Sequence, residues 1–296
     1  MCIIKQATGN RQQATVAIML LVHNNEEQVN RLIRHLASDF DIYVHIDKRC
    51  SVKINKLENV YVYKKYKTYW GSFNLVMATL CLLKKAFFNG YKRYLLISGQ
   101  DLPIKTNESI RDFFENNDKN YVNMIKIPRS DGWPDNMRGL TGYHINNFWR
   151  GRKNNKLGKL LIKIIKKLLY YLSMIKPRKI NYDFYGGSQW VNYTHDCVNK
   201  IFEFLKNDKN YIMRYRWTSC SDEIFFQTII NGLCGLTIEN ANLRYADWTS
   251  GPEFPRTLRV EDYEKIIRTD SLFARKFDSN IDKEIIELIY KKIENM

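Results

Sequence analysis

The chain has 296 residues, with 47 Lys and Arg against 31 Asp and Glu, which gives a formal net charge of +16. Hydrophobic residues make up 45% of the chain, and Pro (6) and Gly (14) are scarce. This composition excludes a disordered or collagen-like protein, because such chains lack the apolar surface that a core needs. The charge alone is compatible with binding to nucleic acid, to an anionic membrane surface or to an anionic substrate such as a nucleotide diphosphate. It is equally compatible with a compositional bias that has no function.

The six cysteines form no CxxC pair, and none lies at zinc-finger spacing from a histidine. We therefore expect free thiols in a reducing compartment. The first 15 residues lack the apolar stretch of a signal peptide, and no run of 18 apolar residues exists. The sequence thus predicts a cytoplasmic protein, either free or peripheral on the inner face of the cytoplasmic membrane.

The first third of the chain alternates apolar runs of strand length with helical patterns. The predicted strands are Val16–His23, Asp41–Asp47, Val60–Tyr63 and Tyr94–Ser98. Asn24 and Asn25 can cap a helix after the first strand, and Phe73–Phe88 has the pattern of another helix. Strand–helix–strand alternation of this kind predicts an α/β fold with parallel strands and right-handed crossovers.

Polar residues follow three of these strands, at His23-Asn24, Asp47-Lys48-Arg49 and Ser98–Asp101. Ligands of α/β sheets bind at the carboxyl ends of the parallel strands. A polar turn after any one strand is ordinary, so the prediction rests on the three together. They indicate a nucleotide-binding edge.

Two segments in the middle of the chain stand out. Asp131–Asn155 is rich in Gly, Trp, Asn and Arg and reads as a long loop, a type of segment that is often functional. Lys156–Lys176 predicts an amphipathic helix with a lysine face and no acidic residue. This helix either packs its apolar stripe on the core or lies in a membrane interface, and its lysine density favours the membrane.

Two shorter patterns suggest a site. Gly186-Gly187 in the turn Tyr185–Trp190 is typical of close backbone approach to a ligand, although no P-loop follows. Ser219–Glu223 precedes an apolar run, so Ser219 or Ser221 can cap a helix whose first turn holds Asp222 and Glu223. A D-x-D pattern at Asp39–Asp41 precedes the second strand, and we interpret it as a helix-to-strand loop at the wrong end of the sheet for a metal.

Five blocks of sequence resemble the core-2/I-branching glycosyltransferases (glycosyltransferase family 14), in the form of a bacterial-type member. The blocks are LLVHNNEEQVNRLIRHL with YVHIDKR, KTYWGSFNLVMATL, YLLISGQDLPIKTNESI, GGSQWVNYTHDCV, and SDEIFFQTII with SLFARKFD. They occur in family order over about residues 16–278, whereas residues 131–183 match little.

This resemblance implies a GT-A fold, which is an α/β class with a mixed nucleotide-binding sheet flanked by helices. It implies one catalytic domain over residues 1–296, with a core at 16–278, the basic helix 156–176 as an insertion and a C-terminal helix at 282–295. The implied activity is inverting transfer from a UDP-sugar to a hydroxyl of a glycan acceptor. N-acetylglucosamine is the first choice of sugar, and xylose or another sugar is the alternative.

The resemblance also assigns residues to the site. Glu223 is the general base, with Asp222 as the competing carboxylate. The residues assigned to the donor are Val22, His23, Asn24, Asp47, Lys48, Arg49, Tyr69, Arg256 and Lys276. The residues assigned to the acceptor are Trp248, Gly187 and Ser188. Arg259 is a substitute for Arg256.

The implied partners follow from these roles. Basic side chains replace a divalent metal at the donor diphosphate, so we expect no cofactor and no metal. The expected partners are the UDP-sugar, a glycan or lipid-linked glycan acceptor, and a membrane surface at Lys156–Lys176. No nucleic acid is expected, because the sequence has no helix-turn-helix, zinc-finger or RNP signature.

Overall fold

A computed structural model describes residues 14–133, 137–145, 156–252 and 255–295. The N-terminal stretch through residue 13, with Cys2, lies outside the described residues, as does most of the predicted loop Asp131–Asn155. The strands are β1 (Val16–Val22), β2 (Asp41–Ile46), β3 (Val60–Tyr63), β4 (Arg93–Ser98), β5 (Asp101–Pro103), β6 (Asn120–Tyr121), β7 (Ile125–Lys126), β8 (Tyr185–Gly186), β9 (Asn192–Thr194), β10 (Ile238–Glu239), β11 (Arg244–Ala246) and β12 (Phe273–Arg275).

The helices are α1 (Glu26–Leu36), α2 (Phe73–Phe87), α3 (Asn107–Glu115), α4 (Arg138–Thr141), α5 (Lys156–Ile175), α6 (His195–Asn207), α7 (Lys209–Tyr215), α8 (Phe225–Asn231), α9 (Tyr263–Ile267) and α10 (Glu284–Glu294). Short 3-10 turns lie at Ser221–Glu223 and Val260–Asp262. The four predicted strands are present within one residue at each end. Within the described ranges, no helix combines the length and the apolar character that crossing a bilayer requires.

The described strands form a central seven-stranded mixed sheet in the order β10-β6-β9-β4-β1-β2-β3. β1 is parallel to β2 and β4, and β2 is parallel to β3, whereas β9 is antiparallel to β4. A smaller sheet has the order β11-β12-β5. The predicted α/β class with a mixed sheet flanked by helices is confirmed. The short strands at the far edge escaped prediction because two or three residues carry no periodicity.

Alternate residues of β1 enter two separate cores. Leu20 and its even-numbered neighbours pack with α1 and α10, whereas Met19 and its odd-numbered neighbours pack with α2, α6 and α8. All seven residues of β1 are buried. Both faces of this strand are therefore apolar, and its sequence does not alternate between apolar and polar residues. Replacement of Leu20 by Ala should cost about 2–5 kcal/mol of stability, because a cavity would remain in a close-packed layer.

The start of α1 is tied to the segment that follows β12. Asn25 is the N-cap, as predicted, and its side chain accepts a hydrogen bond from the Gln28 N–H. The Asn25 amide donates to Ser279 Oγ (2.8 Å), and Gln28 Nε2 donates to the carbonyls of Gly99 (2.9 Å) and Phe277 (3.2 Å). Residues from both ends of the chain therefore meet at one edge of the sheet.

The cysteine and D-x-D predictions agree with the structure. All five cysteines in the described part of the chain are free thiols. Asp41 begins β2 and accepts a hydrogen bond from the Tyr91 hydroxyl (2.6 Å), while Asp39 accepts from the Asn107 amide (3.0 Å). Both carboxylates therefore lie at the amino end of the strands, opposite the predicted site.

Candidate active site

The carboxyl ends of β1, β2 and β4 lie side by side because these strands are parallel. Val22 is in register with Ile46, and Leu21 is in register with Ser98. The Asp47 N–H continues the pairing by donating to the Val22 carbonyl (2.8 Å). His23, Asp47 and Ser98 therefore follow neighbouring strands at one edge, as the sequence predicted.

Asp47 is held in place at this edge by several hydrogen bonds. Its side chain is 1% exposed and accepts hydrogen bonds from Arg49 Nε (3.0 Å), Arg49 Nη2 (2.8 Å) and Thr68 Oγ1 (2.7 Å). Burial would raise the pKa of Asp47, but the hydrogen bonds from Arg49 and Thr68 outweigh burial and hold this pKa below its usual range. The Arg49 guanidinium also lies 3.8 Å from the centre of the Tyr69 ring. Asp47, Arg49 and Tyr69 thus form one connected unit.

Lys276 joins the same edge from the far end of the chain. It follows β12, whose Arg275 is in register with Asp101 of β5. Desolvation lowers the pKa of His23, the Asp47 charge opposes this effect, and the charges of Lys276, Arg49 and Arg275 lower the pKa further. We call His23, Asn24, Asp47–Arg49, Tyr69 and Lys276 the donor edge. The Lys48 side chain is exposed there, and its N–H donates to the Tyr66 carbonyl (2.9 Å).

A buried carboxylate fixes the position of Arg275. Asp101 is 0% exposed and accepts hydrogen bonds from the backbone and hydroxyl of Ser98. Its Oδ1 lies 3.7 Å from Arg275 Nε and 3.8 Å from Arg244 Nε. The Arg275 guanidinium lies 4.3 Å from the centre of the Trp190 ring. Arg275 is therefore held between a carboxylate and an aromatic face.

The segment that carries Glu223 differs from its prediction. Ser221–Glu223 forms a 3-10 turn, which we call the base turn, and α8 begins only at Phe225. Neither predicted serine caps it: Cys220 is the N-cap in a left-handed conformation (φ 48°) without a side-chain cap bond. The Ser221 hydroxyl instead donates to the carbonyls of Tyr215 (3.0 Å) and Thr218 (2.8 Å). These bonds tie the base turn to the end of α7.

Glu223 is half-buried, and burial raises its pKa to about 7, against the opposing charges of Arg129 and Arg275. Burial outweighs the small dipole of a single 3-10 turn, which would favour the ionised carboxylate. Asp222 is 6% exposed and points into the protein. Burial, with the Glu223 charge next to it, raises the pKa of Asp222 well above its usual range. Of the two carboxylates, Glu223 is the one that a ligand can reach.

Two contacts bring the base turn to the donor edge. Arg275 lies within electrostatic range of both His23 and Glu223. Gly71, two residues after Tyr69, lies next to Cys220, because an added Cβ would be in ordinary van der Waals contact with the Cys220 Cα, at 3.7 Å. The base turn therefore lies beside the segment that carries Tyr69.

The glycine pair supports the base turn from the other side. The Gly187 N–H donates to the Glu223 carbonyl (2.8 Å), and Gln227 Nε2 donates to the Ser188 carbonyl (2.7 Å). A Cβ on Gly187 would lie 2.0 Å from the Asn123 carbonyl oxygen, and one on Gly186 would lie 2.2 Å from the Trp133 ring. Close packing within the protein thus requires both glycines. Gly187 and Ser188 lie beside the base turn.

The two remaining predicted residues lie on the loop after β11. Trp248 is 61% exposed, so it is not a core residue. Arg256 Nη2 lies 2.9 Å from Asp247 and 2.6 Å from Asp262. Two carboxylates thus already neutralise Arg256. Its substitute Arg259 is exposed.

Three residues of this region were not assigned from the sequence: Arg129, Trp190 and Arg275. Trp190 and Arg275 lie inside the blocks GGSQWVNYTHDCV and LFARKFD, so the signal for them was present. Arg129 lies in a segment with no pattern. Among the described residues, no group of three or more His, Cys, Asp or Glu side chains is arranged to hold a metal ion.

Comparison with known proteins adds the following. The model of the Core-2/I-Branching enzyme family matches residues 16–267. Two Arabidopsis thaliana proteins are similar: beta-glucuronosyltransferase GlcAT14B is 20% identical over 98% of this chain, and GlcAT14A is 21% identical over 97%. This chain spans 66% and 63% of the lengths of these relatives. A solved apo structure of the bifunctional glycosyltransferase WbbM has a TM-score of 0.42 and 12% identity, covering 97% of this chain and 53% of that one.

Proposed function

The chain belongs to the Core-2/I-Branching enzyme family, and we propose that it transfers a sugar from a UDP-sugar to a hydroxyl of a glycan acceptor. One observation carries the proposal: Glu223 is a half-buried carboxylate with a pKa raised to about 7, and the charge of Arg275 acts both on it and on His23 of the donor edge. Such a pair of groups fits transfer chemistry, because one side removes a proton while the other stabilises an anionic leaving group.

Glu223 is the proposed general base. Its carboxylate takes the proton of the acceptor hydroxyl as the acceptor oxygen forms a bond to the anomeric carbon of the donor. The bond between that carbon and the diphosphate breaks at the same time, and UDP leaves with the electron pair. A single displacement of this kind inverts the anomeric configuration. A base with a pKa near 7 is well matched to neutral conditions, since it is both ionised and basic enough to accept the proton.

The cations of the donor edge are the proposed partners of the diphosphate. Desolvation lowers the pKa of His23 there, and the charges of Lys276 and Arg49 lower it further. The Lys48 side chain is exposed at the same edge. Fixed cations at the leaving group can take the place of a divalent metal, because they are oriented before the charge develops. Arg256 would first have to leave Asp247 and Asp262, so we assign it a minor part in binding the diphosphate.

Metal independence has a direct test. Transfer should continue unchanged after treatment with EDTA and gel filtration into metal-free buffer. Loss of activity that Mg²⁺ or Mn²⁺ restores would contradict this part of the proposal while leaving the assignment of Glu223 intact.

The donor sugar has two leading candidates. The family resemblance favours N-acetylglucosamine, and xylose is a further option. The similarity to two Arabidopsis thaliana beta-glucuronosyltransferases favours glucuronic acid. Arg129 and Arg275 lie within electrostatic range of Glu223 and would complement a sugar carboxylate. A panel of UDP-sugars assayed for UDP release, with and without glycan acceptors, distinguishes the candidates.

The acceptor is proposed to be a glycan or a lipid-linked glycan. Trp248 offers an exposed aromatic face for stacking on a sugar ring, and Gly187 and Ser188 lie next to the base. Failure to release UDP from any sugar nucleotide in the panel, by a protein that binds UDP, would overturn the proposed function. Tight binding of nucleic acid with a steep salt dependence would favour the competing interpretation of the positive charge.

A further inference from the structure

Helix α5 exposes most of its surface to solvent. It contacts the protein through one narrow strip formed by Gly158, Ile162, Ile165, Leu169 and Ser173, which recur at the spacing of one helix face. Of the stripe expected from the sequence, Ile165 and Leu169 turn toward the protein, whereas Leu160, Leu161, Ile164 and Leu168 are 46–62% exposed. The expectation of a single apolar stripe is therefore only half right.

The exposed apolar side chains form a second stripe beside that strip. Its members are Leu157, Leu160, Leu161, Ile164, Leu168, Tyr171, Leu172 and Ile175, each at least 42% exposed. At 100° per residue they span about one third of the circumference of the helix. No other helix in the described part of the chain exposes so much apolar surface. A contiguous exposed apolar stripe of this width marks an interaction site.

The lysines of α5 lie along the opposite border of the exposed apolar stripe. Lys159, Lys163, Lys166 and Lys167 are all exposed, and the helix has no acidic residue. A cationic border next to an apolar stripe complements a bilayer with anionic headgroups, because apolar side chains enter the acyl boundary while lysines remain at the headgroups. Self-association through the same face would bring these like charges together.

Hydrogen bonds attach the C-terminal part of α5 and the residues after it to the protein. The Tyr143 N–H donates to Ser173 Oγ (3.0 Å), and Ser173 Oγ donates to the Leu169 carbonyl (2.6 Å). Just past the helix, the Arg178 N–H donates to the Thr141 carbonyl (2.8 Å), and its guanidinium donates to the Arg214 carbonyl (2.7 Å). The exposed face is therefore presented without a rearrangement of the protein.

From this arrangement, we propose that α5 docks the protein on an anionic bilayer, lying in the plane of the headgroups. The inference rests on α5 alone and does not depend on the proposed transferase activity. Docking would also place the base turn near the membrane, because Arg178 Nη1 contacts Thr218 Oγ1 (3.2 Å) and Thr218 binds the Ser221 hydroxyl.

Vesicle co-sedimentation of the full chain tests the proposal. Wild-type protein should bind vesicles of phosphatidylcholine with phosphatidylglycerol, bind pure phosphatidylcholine weakly, and dissociate from the anionic vesicles at high salt. The triple variant Lys163→Glu, Lys166→Glu and Lys167→Glu should lose at least about tenfold in vesicle affinity. The variant Leu160→Asn, Ile164→Asn and Leu168→Asn should lose a similar amount, because the apolar contact is removed while the charge stays.

A charge-matched control separates this site from the general positive charge. Lys56, Lys206 and Lys292 are exposed on other parts of the molecule, and their replacement by Glu lowers the net charge equally. This control should keep wild-type vesicle binding. Equal loss in the control and in the α5 lysine variant would overturn the proposal, as would absence of wild-type binding. Dimerisation through α5 without vesicle binding would also overturn it.

A measurement on the wild-type chain alone tests the proposal even if the variants do not fold. Hydrogen–deuterium exchange with and without anionic vesicles should show slower exchange across residues 157–175 and no change in α10. Exchange in α5 that vesicles leave unchanged would contradict the proposal even if every variant failed to fold.

Discussion

The two sides of the candidate site hold their carboxylates in opposite ways. On the donor edge, the Arg49 guanidinium contacts Asp47 directly, and the pKa of Asp47 stays below its usual range. On the base turn, Arg129 and Arg275 act on Glu223 only at a distance, and burial raises its pKa to about 7. Burial acts to raise the pKa of both carboxylates, so burial alone does not decide the outcome. Direct charge-assisted hydrogen bonds make the first carboxylate a structural anion and leave the second one able to exchange a proton.

The strongest test of this contrast is Glu223→Gln. The amide keeps the shape of the side chain but cannot accept the proton, so we expect transfer to fall by about 10²–10⁴-fold. UDP affinity, measured by calorimetry, should remain unchanged because the donor edge is intact. The matched variant Asp222→Asn should keep most of the activity, since Asp222 is buried and faces away from the ligand. The opposite result would move the base to Asp222.

On the donor edge, Lys276→Met is expected to have the next largest effect. Removal of one charge-assisted contact to the diphosphate should lower kcat/KM for the donor by about 10–100-fold. Lys283→Met is the matched control, because this exposed lysine contacts Glu27 only loosely (3.8 Å). Equal effects of the two changes would mean that Lys276 acts through net charge alone. The pH dependence of transfer should not move in either variant.

The pH dependence of kcat/KM tests the difference between the two carboxylates in more detail. The acid limb of the kcat/KM profile should have an apparent pKa of about 7, because Glu223 must lose its proton to act. The charge of Arg129 lowers this pKa, so Arg129→Gln should move the limb to higher pH by about half a unit to one unit. Lys126→Gln, on the same segment and paired with Asp183, should leave the limb in place. A limb that stays fixed in Arg129→Gln would place the titrating group elsewhere.

Trp248→Ala should give a smaller effect that is confined to the acceptor. Loss of one stacking surface should raise the acceptor KM by about 2–12-fold and leave the donor KM unchanged. Because Trp248 is 61% exposed, the melting temperature should not change. Phe88→Ala, which removes an aromatic side chain that is 80% exposed, is the control and should leave both KM values unchanged.

The smallest expected effect concerns stability at the base turn. The pKa of Asp222 is raised in the folded state, so this carboxyl costs folding free energy once the pH exceeds about 4, where the unfolded chain ionises. Asp222→Asn should therefore be more stable than wild type at neutral pH. The difference should vanish in acid, where both side chains are neutral. Denaturant titrations at several pH values would show this trend.

The sequence predicted the parallel half of the sheet well, because continuous apolar runs such as Val16–Val22 leave little alternative. It also predicted that His23 and Asp47 lie together, since parallel strands end at one edge. It did not predict β12, because three residues are too few to show a periodic pattern. It therefore also missed that the charge of Arg275 acts on Glu223. The raised pKa of Glu223 was equally beyond the sequence, because burial depends on which segments fold over the base turn.

The candidate site is assembled from distant parts of the chain, as the hydrogen bond between Asn25 and Ser279 illustrates. Its first contribution, His23, and its last, Lys276, are separated by nearly the whole sequence. During synthesis, the early strands can pair long before β12 leaves the ribosome, so the nucleotide edge would exist without Arg275 and Lys276. Catalytic competence would then arise late and abruptly, when the segment after β12 closes on Gln28.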